Sequence, residues 1–234
     1  MAESGLAHKP RKNAQDLRSC GLAPSRVQIS PPAYQNHDVK TGEYMINAIV
    51  WDVGGVLITD SHTEAFWAGI SGAKELRNLF GSGKTSTEDF VRKGAVLMGI
   101  SEKEFLDKYT KAYDGERMEK SIDLYKRVAC DNYILSDTNA LRERIIESKN
   151  RDIFGMAKRV FLSHEIGMRK SSAETYMFVM QQTGANPEDI LVIDNRRGNI
   201  EIARSLGMAA ILFQNPEQLS SDLRRINVDI HAEI

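Results

Sequence analysis

Five residues of this sequence carry side chains suited to phosphoryl transfer, and each stands at or soon after the end of a short apolar run. The carboxyl group of Asp52 can act as a nucleophile, and the hydroxyl group of Ser136 can hold an anion. The ammonium group of Lys170 can neutralise negative charge. The oxygens of Asp194 and Asn195 are ligands of the kind that Mg²⁺ prefers. Together they indicate attack of a carboxylate on phosphorus, with a hard cation offsetting the repulsion between carboxylates and phosphate.

The stretch VWDVGGVLITD at 50–60 shows why Asp52 needs an explanation. One apolar run leads into the carboxylate, which is followed by Gly54, Gly55 and a second apolar run. A purely structural interpretation exists, because aspartate before glycine is ordinary turn chemistry and half-buried strands often end in this way. The rest of the chain decides between a turn and a nucleophile.

The other positions have equally plain structural interpretations. Ser136 with Asp137 fits a turn, and Lys170 fits a solvated surface lysine. Asp194 with Asn195 fits the cap of a following helix. No single position decides the matter, but their order and spacing favour the joint, catalytic interpretation.

The elements that would position these residues are predicted from residue 45 onward, where short apolar strands alternate with helical patterns such as Glu174–Thr183 and Asn199–Leu206. This alternation predicts an α/β fold, a Rossmann-like parallel sheet with helices on both faces. The carboxyl ends of the strands form the ligand crevice of such a sheet, so the polar residues are expected to converge there. The predicted strands are Ile46–Trp51, Tyr133–Ser136, Arg159–Leu162, Ile190–Ile193 and Ala209–Phe213.

The interval 61–129 interrupts the alternation because it is almost entirely helical in pattern. Capping-box spacing marks helix starts at 85–89 and at 101–104. Phe105 and Tyr109 belong to an apolar stripe on the second of these helices. A small inserted helical domain that caps the crevice is therefore predicted.

The string GSGKTS at 81–86 is similar to part of a nucleotide-binding P-loop. That pattern needs a glycine where Asn78 stands, and a strand leading into the loop. No apolar strand precedes the string. We therefore predict a loop with a helix cap.

Composition limits the classes of function. The chain of 234 residues can bury one core with a smaller accessory domain, and its net charge of −1 gives no reason to expect binding to nucleic acid or to an anionic membrane. No apolar run is long enough to span a bilayer. Cys20 and Cys130 lie far apart and outside any CxxC pattern, which favours a reducing, cytoplasmic location over a zinc site or disulfide scaffold. The oligomeric state stays open.

Residues 1–43 show clustered prolines and serines without a helical or strand period, which predicts a mobile tail. The basic patch at 8–12 is a feature of organelle transit peptides, but Glu3 and Asp16 interrupt the acid-poor composition that such peptides need. A solvated tail is the favoured interpretation.

Four motifs resemble, in order, those of the haloacid dehalogenase-like (HAD) hydrolase superfamily, and are most similar to its small-capped sugar-phosphatase branch. That branch includes α-D-glucose-1-phosphate phosphatases and the phosphatase domain of soluble epoxide hydrolase. The resemblance covers about residues 45–213 and implies a core at 44–60 and 130–234 with a helical cap at 61–129. The motifs are VWDVGGVLITD, YILSDTN, SHEIGMRK and LVIDNRRGNIEIARSLG.

The resemblance implies a role for each candidate residue. Asp52 is the nucleophile, Ser136 binds phosphate, and Lys170 balances charge. The metal ligands, for Mg²⁺, are Asp52, the backbone carbonyl of Gly54, Asp194 and Asn195. The phosphate-binding positions are Gly55, Ser136, Asp137 and Lys170.

Several positions depart from the family pattern. Most phosphatases of the superfamily have a second aspartate at the place of Gly54, whose acid–base help is worth typically about 10²–10⁴-fold. Relatives also have acids at or near the places of Asn195 and Gly198, and usually asparagine at Asp137. We expect Asp137 to turn away from phosphate or to meet a partner such as Arg196 or Arg197.

A milder departure is Ser171, where relatives usually have proline. Residues 171–174 spell S-S-A-E, a capping box that predicts the same helix start.

The sequence thus predicts a Mg²⁺-dependent phosphatase acting on a small phosphorylated metabolite, with a sugar phosphate favoured, through an aspartyl-phosphate on Asp52. A metal-independent 2-haloacid dehalogenase is an alternative, because metal-free relatives also lack acids at Gly54 and Asn195. A second alternative is a catalytically weakened protein that binds phosphate or a partner, since Gly54, Asp137, Asn195 and Gly198 all depart from the pattern in one pocket.

Overall fold

The computed structural model describes residues 45–60 and 63–232. The tail predicted for 1–43 lies outside the described residues. Within them, no helix combines the length and the apolar character needed to cross a bilayer.

A parallel sheet forms the centre of the described chain. Its five strands run in the order β3-β2-β1-β4-β5, so the first strand of the sequence is the middle strand of the sheet. Trp51 of this strand is in register with Ile134 on one side and with Ile193 on the other. The predicted α/β class and all five predicted strands are confirmed. The observed strands are β1 (Ala48–Trp51), β2 (Asp131–Ser136), β3 (Arg159–Leu162), β4 (Ile190–Asp194) and β5 (Ala209–Leu212).

The apolar strands are explained by burial on both faces. Ile49 and Trp51 of β1 belong to one hydrophobic cluster, whereas Ala48 and Val50 belong to another on the opposite face. Successive side chains of a strand point to opposite faces, so a strand covered on both sides must be apolar throughout. Helices of the same core supply the covering layers. They are α6 (Ala140–Lys149), α7 (Arg151–Met156), α8 (Ser163–Ile166), α9 (Ala173–Thr183), α10 (Arg197–Ser205) and α11 (Pro216–Arg225), with a 3₁₀ turn at Pro187–Asp189.

Among the residues that the structure describes, five helices lie between β1 and β2, in the interval where a helical cap is predicted. Ser86 and Ser101 cap two of them, because their side chains accept hydrogen bonds from the backbone N–H groups of Asp89 (3.0 Å) and Glu104 (3.2 Å). Both predicted caps are confirmed. We call this segment, 63–127, the helical insert. Its helices are α1 (Thr63–Trp67), α2 (Ala73–Gly81), α3 (Thr87–Met98), α4 (Glu102–Tyr113) and α5 (Glu119–Arg127).

The helical insert has its own aromatic core. The rings of Phe80 and Phe90 stack with centroids 4.0 Å apart, and those of Tyr109 and Tyr113 stack at 4.1 Å. Leu141 on α6 packs against the same cluster, which joins the insert to the sheet domain. The buried members of the cluster are Trp67, Ala73, Leu76, Phe80, Phe90, Val91, Ala95, Phe105, Tyr109 and Tyr113.

The P-loop-like string at 81–86 begins at the last residue of α2 and ends at the cap of α3. No strand leads into it, so the predicted loop and helix cap are confirmed. Gly83 has φ of +67°, and a Cβ atom there would lie 2.2 Å from the carbonyl oxygen of His164. Glycine is needed because this turn passes directly against the core.

The capping box predicted for 171–174 is wrong. The N-cap residue of α9 is Ser172 instead of Ser171, and its side chain caps no backbone N–H. The Ser172 N–H donates to the carbonyl of Arg169 (3.0 Å), which forms a turn directly after Lys170 and moves the helix start by one residue. Thr175 instead donates its hydroxyl hydrogen to the Arg169 carbonyl (2.6 Å) and ties the first turn of the helix to this loop.

Candidate active site

Asp52 follows β1 at the carboxyl end of the middle strand. Its backbone N–H donates to the carbonyl of Ile193 in β4 (2.9 Å), so the residue still belongs to the hydrogen-bonded sheet. Its side-chain Oδ1 accepts a hydrogen bond from the N–H of Val53 (2.7 Å). With only 6% of its surface exposed, Asp52 is a buried carboxylate whose position is fixed by backbone on both sides.

Lys170 joins three strand ends that are far apart in sequence. Its Nζ lies 2.7 Å from Oδ1 of Asp52 and 2.7 Å from Oδ2 of Asp194. Lys170 is 3% exposed and Asp194 is 1% exposed. A buried ammonium shared by two buried carboxylates is costly unless all three charges compensate one another. The convergence predicted from the sequence therefore exists for Asp52, Lys170 and Asp194.

The close packing of these charges alters their acidity. Burial raises the pKa of Asp52 to about 6 from 3.8, against the opposing attraction of Lys170, and the negative charge of Asp194 raises it further. Burial by itself would lower the pKa of Lys170, but the two carboxylates outweigh it and hold that pKa above its ordinary value. At neutral pH the lysine is a cation and Asp52 is ionised, which is the state a nucleophile needs.

Asp194 is held by two further donors. The backbone N–H of Arg196 donates to Oδ1 (2.8 Å), and Nδ2 of Asn199 donates to Oδ2 (2.9 Å). Asn199 is 7% exposed and lies in the first turn of α10. No role was predicted for Asn199, although its place five residues after Asp194 was a usable signal, because one helical turn returns its side chain to the end of β4.

Asp137 faces a different partner from the two predicted ones. Its Oδ2 lies 3.2 Å from Nη2 of Arg169, and its Oδ1 accepts a hydrogen bond from the N–H of Lys170 (3.0 Å). The expectation that Asp137 meets a partner is confirmed, but the partner is neither Arg196 nor Arg197. Those residues follow β4 on the other side of β1, whereas Arg169 directly precedes the site lysine. Asp137 thus orients the loop that carries Lys170.

Gly55 and Asn195 lie directly against each other. Gly55 has φ of +78°, and a Cβ atom there would be 2.0 Å from Nδ2 of Asn195. The Gly55 N–H donates to the carbonyl of Ile58 (2.6 Å), so this donor is already engaged within the chain instead of being open to phosphate. Oδ1 of Asn195 is buried and accepts no hydrogen bond from the described residues. A buried amide oxygen without a donor, on the residue that follows Asp194, is consistent with a ligand that completes the site.

Ser136 ends β2, next to the middle strand, and is 6% exposed. Within 45–60 and 63–232, its hydroxyl has no hydrogen-bond partner. A hydroxyl at this edge of the sheet can donate to a phosphate oxygen.

The donor set fits a magnesium ion. The carboxylates of Asp52 and Asp194 and the orphaned Asn195 oxygen are hard oxygen ligands at one edge of the sheet. The backbone carbonyl of Gly54 directly follows in the same turn. A cavity of about 460 Å³ elsewhere, along α2, has none of the predicted site residues in its lining.

Two residues without a predicted role, Asp60 and Arg142, lie over Gly54. A Cβ atom at Gly54 would be 2.9 Å from Nη2 of Arg142 and 3.5 Å from Cγ of Asp60. The two side chains form an ion pair of 2.7 Å. Asp60 closes the first motif and was a visible candidate, whereas nothing in the sequence marks Arg142, which lies in the first turn of α6.

Two curated proteins are similar to parts of the chain. No family model matches the chain. It is 30% identical over 110 residues to flavin mononucleotide hydrolase 1, chloroplastic, of Arabidopsis thaliana, and 29% identical over 75 residues to drimenol cyclase of Aspergillus calidoustus. These matches cover 46% and 32% of this chain. The chain spans 44% of the length of the first relative and 14% of the second.

Solved structures resemble the chain over a larger share of its length. A HAD family enzyme of Bacteroides thetaiotaomicron, solved as a magnesium complex, gives a TM-score of 0.65 at 20% identity and covers 77% of this chain and 99% of its own. The L-2-haloacid dehalogenase of Xanthobacter autotrophicus gives 0.54 at 16% identity and covers 79% and 84%. These similarities confirm the HAD-like fold that the motifs predict. They do not single out the sugar-phosphatase branch.

Proposed function

We propose that this chain, which has the HAD-like fold, is a Mg²⁺-dependent phosphatase that hydrolyses a small phosphorylated metabolite through an aspartyl-phosphate on Asp52. One observation carries the proposal: the buried Nζ of Lys170 lies 2.7 Å from both Asp52 and Asp194. A buried nucleophile, a charge-balancing lysine and a second carboxylate at one strand edge are the parts that phosphoryl transfer to an aspartate needs.

The two oxygens of Asp52 have different environments. Oδ1 is held by Lys170 and by the N–H of Val53, whereas Oδ2 accepts no hydrogen bond from the described residues. Oδ2 is therefore the oxygen that attacks phosphorus. The Oδ2–P bond forms as the bond from phosphorus to the leaving oxygen breaks. Water then attacks the phosphorus of the aspartyl-phosphate, releases inorganic phosphate and regenerates the Asp52 carboxylate.

Lys170 and Ser136 hold the transferring group. The Lys170 cation offsets negative charge on the phosphoryl oxygens and on the nucleophile. The hydroxyl of Ser136 donates to a phosphoryl oxygen. Asp137 acts through the loop of Lys170, because its carboxylate accepts the Lys170 N–H and pairs with Arg169. Ser136, Asp137 and Gly55 were all predicted to bind phosphate. In this proposal, only Ser136 of these three binds it directly.

The residues that would hold Mg²⁺ are Asp52, Asp194, Asn195 and the carbonyl of Gly54. When bound, the ion neutralises phosphate charge and keeps the dianion close to two carboxylates. The magnesium-bound HAD enzyme of Bacteroides thetaiotaomicron supports this assignment by its fold. The orphaned oxygen of Asn195 supports it from this chain's own residues.

A sugar phosphate is the favoured substrate. With Gly54 in place of an acid, leaving groups that need little protonation are handled best, which favours a sugar 1-phosphate or an acyl phosphate. Flavin mononucleotide is a second candidate, because the Arabidopsis thaliana relative is named as its hydrolase. The cytoplasmic location predicted from the cysteines stays a prediction, and the chloroplastic name of that relative makes an organelle a competing one.

A phosphatase screen with matched variants tests the proposal. Sugar, flavin and acyl phosphates are offered with Mg²⁺ and with EDTA to the wild type, to Asp52→Asn, and to Asp107→Asn, which changes an exposed aspartate of α4. We expect turnover by the wild type and Asp107→Asn, loss of turnover with EDTA, and a fall on the order of 10³-fold or more for Asp52→Asn. Hydrolysis persisting in Asp52→Asn refutes the aspartyl-phosphate.

The same proteins separate the alternatives. Chloride release from 2-chloropropionate without Mg²⁺ would identify a dehalogenase, in which Asp52 attacks carbon. Phosphate binding without turnover on any ester would identify a catalytically weakened binding protein.

A further inference from the structure

The proposed phosphatase lacks the acid that would serve the leaving group, and another side chain occupies its space. We propose that Arg142 contacts the leaving-group oxygen of the substrate and stabilises the negative charge that develops there, with Asp60 as its positioning residue. This inference rests on the proposed function and names a catalytic residue that the motifs do not contain.

Geometry places the guanidinium where a side chain at residue 54 would be. The position of a Cβ atom on Gly54 is 2.9 Å from Nη2 of Arg142, closer than to any atom of Asp60. Residue 54 follows the nucleophile by two positions in the turn after β1. The Arg142 cation therefore stands beside the nucleophile's own loop, although it comes from α6.

The hydrogen bonding of Arg142 is incomplete for a buried cation. Its side chain is 11% exposed, and among the described residues its one ion pair is the 2.7 Å contact of Nη2 with Asp60. Nε is buried and has no hydrogen-bond partner among the described residues. The guanidinium also lies over the ring of Tyr113, 5.4 Å from its centroid. Nε thus lacks an acceptor among the described residues, whereas a phosphate ester brings oxygens that can accept from guanidinium N–H groups.

The arrangement around Asp60 favours the cation over the carboxylate as the group that meets substrate. Asp60 has Arg142 at one oxygen and Nη2 of Arg196, 4.0 Å away, at the other. Its charge is thus offset by two guanidinium groups, and its position holds Arg142 in place. A Cβ atom at Gly54 would lie 3.5 Å from the Asp60 carboxyl carbon, farther than from Nη2 of Arg142.

The chemistry of arginine limits the substrate class. A guanidinium keeps its proton at any working pH, so it cannot act as a general acid, but its N–H groups can stabilise an oxyanion. When the P–O bond breaks, the electron pair stays on the leaving oxygen, which is stabilised by Arg142 and then takes a proton from water. Leaving groups that are tolerable anions, as in anomeric and acyl phosphates, should be hydrolysed faster than primary alkyl phosphates such as flavin mononucleotide.

The test is the dependence of kcat/KM on the pKa of the leaving group. A series from p-nitrophenyl phosphate through a sugar 1-phosphate to a primary alkyl phosphate is assayed with the wild type, Arg142→Met, Arg142→Lys and Asp60→Asn. We expect Arg142→Met to lose on the order of 10²–10³-fold on the poorer leaving groups and much less on p-nitrophenyl phosphate. Arg142→Lys should recover part of the loss. Asp60→Asn keeps the cation but removes the ion pair that positions it, so it should show the same leaving-group dependence as Arg142→Met with a smaller loss.

The outcomes that would contradict this inference differ from those that would contradict the proposed function. An equal loss on every substrate in Arg142→Met, matched by Asp60→Asn, would show that the pair only supports the fold and would overturn this inference while leaving the phosphatase intact. A steeper leaving-group dependence in Asp60→Asn than in Arg142→Met would assign the role to the carboxylate. A wild type inactive on the whole series, or activity retained in Asp52→Asn, would overturn the proposed function and this inference with it. Thermal unfolding of each variant shows which ones are folded.

Discussion

The edge of the sheet at the carboxyl ends of its strands, called here the sheet edge, and the helical insert are stabilised by different kinds of contact. At the sheet edge, two carboxylates and one ammonium are buried together, and each is within 2.7 Å of an opposite charge. The core of the insert is apolar and rich in aromatic rings, and Trp67 Nε1 donates to the Tyr113 hydroxyl (2.9 Å). A few charged contacts dominate at the edge, whereas many small ones add up in the insert.

This difference explains which region can be recognised in a sequence. A charged side chain at a strand end must be one of a few residue types, so short motifs reveal it. An aromatic core accepts many sequences of similar volume, so the insert shows only that it is helical. Substitutions at the edge should affect both activity and folding stability, whereas substitutions in the insert should affect folding stability alone.

Removing the shared cation should give the largest effect. Lys170→Met leaves Asp52 and Asp194 as uncompensated buried charges, so we expect kcat to fall on the order of 10²–10³-fold and the metal-free protein to lose about 3–5 kcal/mol of unfolding free energy. Steady-state kinetics and urea unfolding measure the two losses. Lys158→Met changes an exposed lysine and serves as the control. A folded, fully active Lys170→Met protein would break the contrast between edge and insert.

The pKa of Asp52 provides a second test of the buried charges at the sheet edge. In protein freed of Mg²⁺, burial should make this carboxyl titrate near pH 6 instead of 3.8. The folded state then holds the proton more tightly than the unfolded state, so acidification from pH 7 towards pH 4 removes an electrostatic cost at this group while it inactivates the nucleophile. Carboxyl ¹³C NMR, with Asp52→Asn to assign the resonance, reports the pKa. A titration near pH 4 would contradict the expected desolvation.

Substitutions at two helical glycines, one closely packed and one not, test how tightly the helices are packed. A Cβ atom at Gly94 of α3 would lie 2.4 Å from the ring of Phe105, whereas one at Gly155 of α7 meets nothing within 4 Å. Gly94→Ala should therefore cost about 1–3 kcal/mol of unfolding free energy, and Gly155→Ala should gain up to about 1 kcal/mol. Neither is expected to change kcat. Denaturant unfolding and the phosphatase assay check both, and equal effects at the two sites would show that the insert is loosely packed.

Much of the fold followed from local rules, because buried parallel strands are short apolar runs. Strand boundaries were predicted less well: β1 was predicted to begin at Ile46 and begins at Ala48, and β2 was predicted to begin at Tyr133 and begins at Asp131. Asn132 is polar, yet it lies buried in the strand because its Oδ1 accepts from the indole of Trp51 (2.8 Å) and its Nδ2 donates to the carbonyl of Tyr125 (2.9 Å). Propensity cannot foresee a polar residue whose partners are brought by tertiary structure.

Some of the candidate site could likewise be predicted from the sequence, and some of it could not. Asp52, Lys170 and Asp194 could be placed together because the topology of a parallel sheet brings strand ends to one edge. The partner of Asp137 was wrongly chosen, because the sequence does not show on which side of β1 each arginine falls. Arg142 was missed for a related reason: its contact with the nucleophile loop depends on how α6 packs.

The place of the nucleophile in the middle of the sheet has a consequence for how the protein loses activity. The backbone N–H of Asp52 is hydrogen-bonded to the carbonyl of Ile193, and β1 has a strand on each side. Hydrogen exchange at this amide should require global unfolding, while amides in the insert exchange through smaller, reversible openings. Mild heating should therefore unfold the surroundings of Asp52 well before it disrupts the strand that holds the carboxylate. Activity lost in this way should return on cooling.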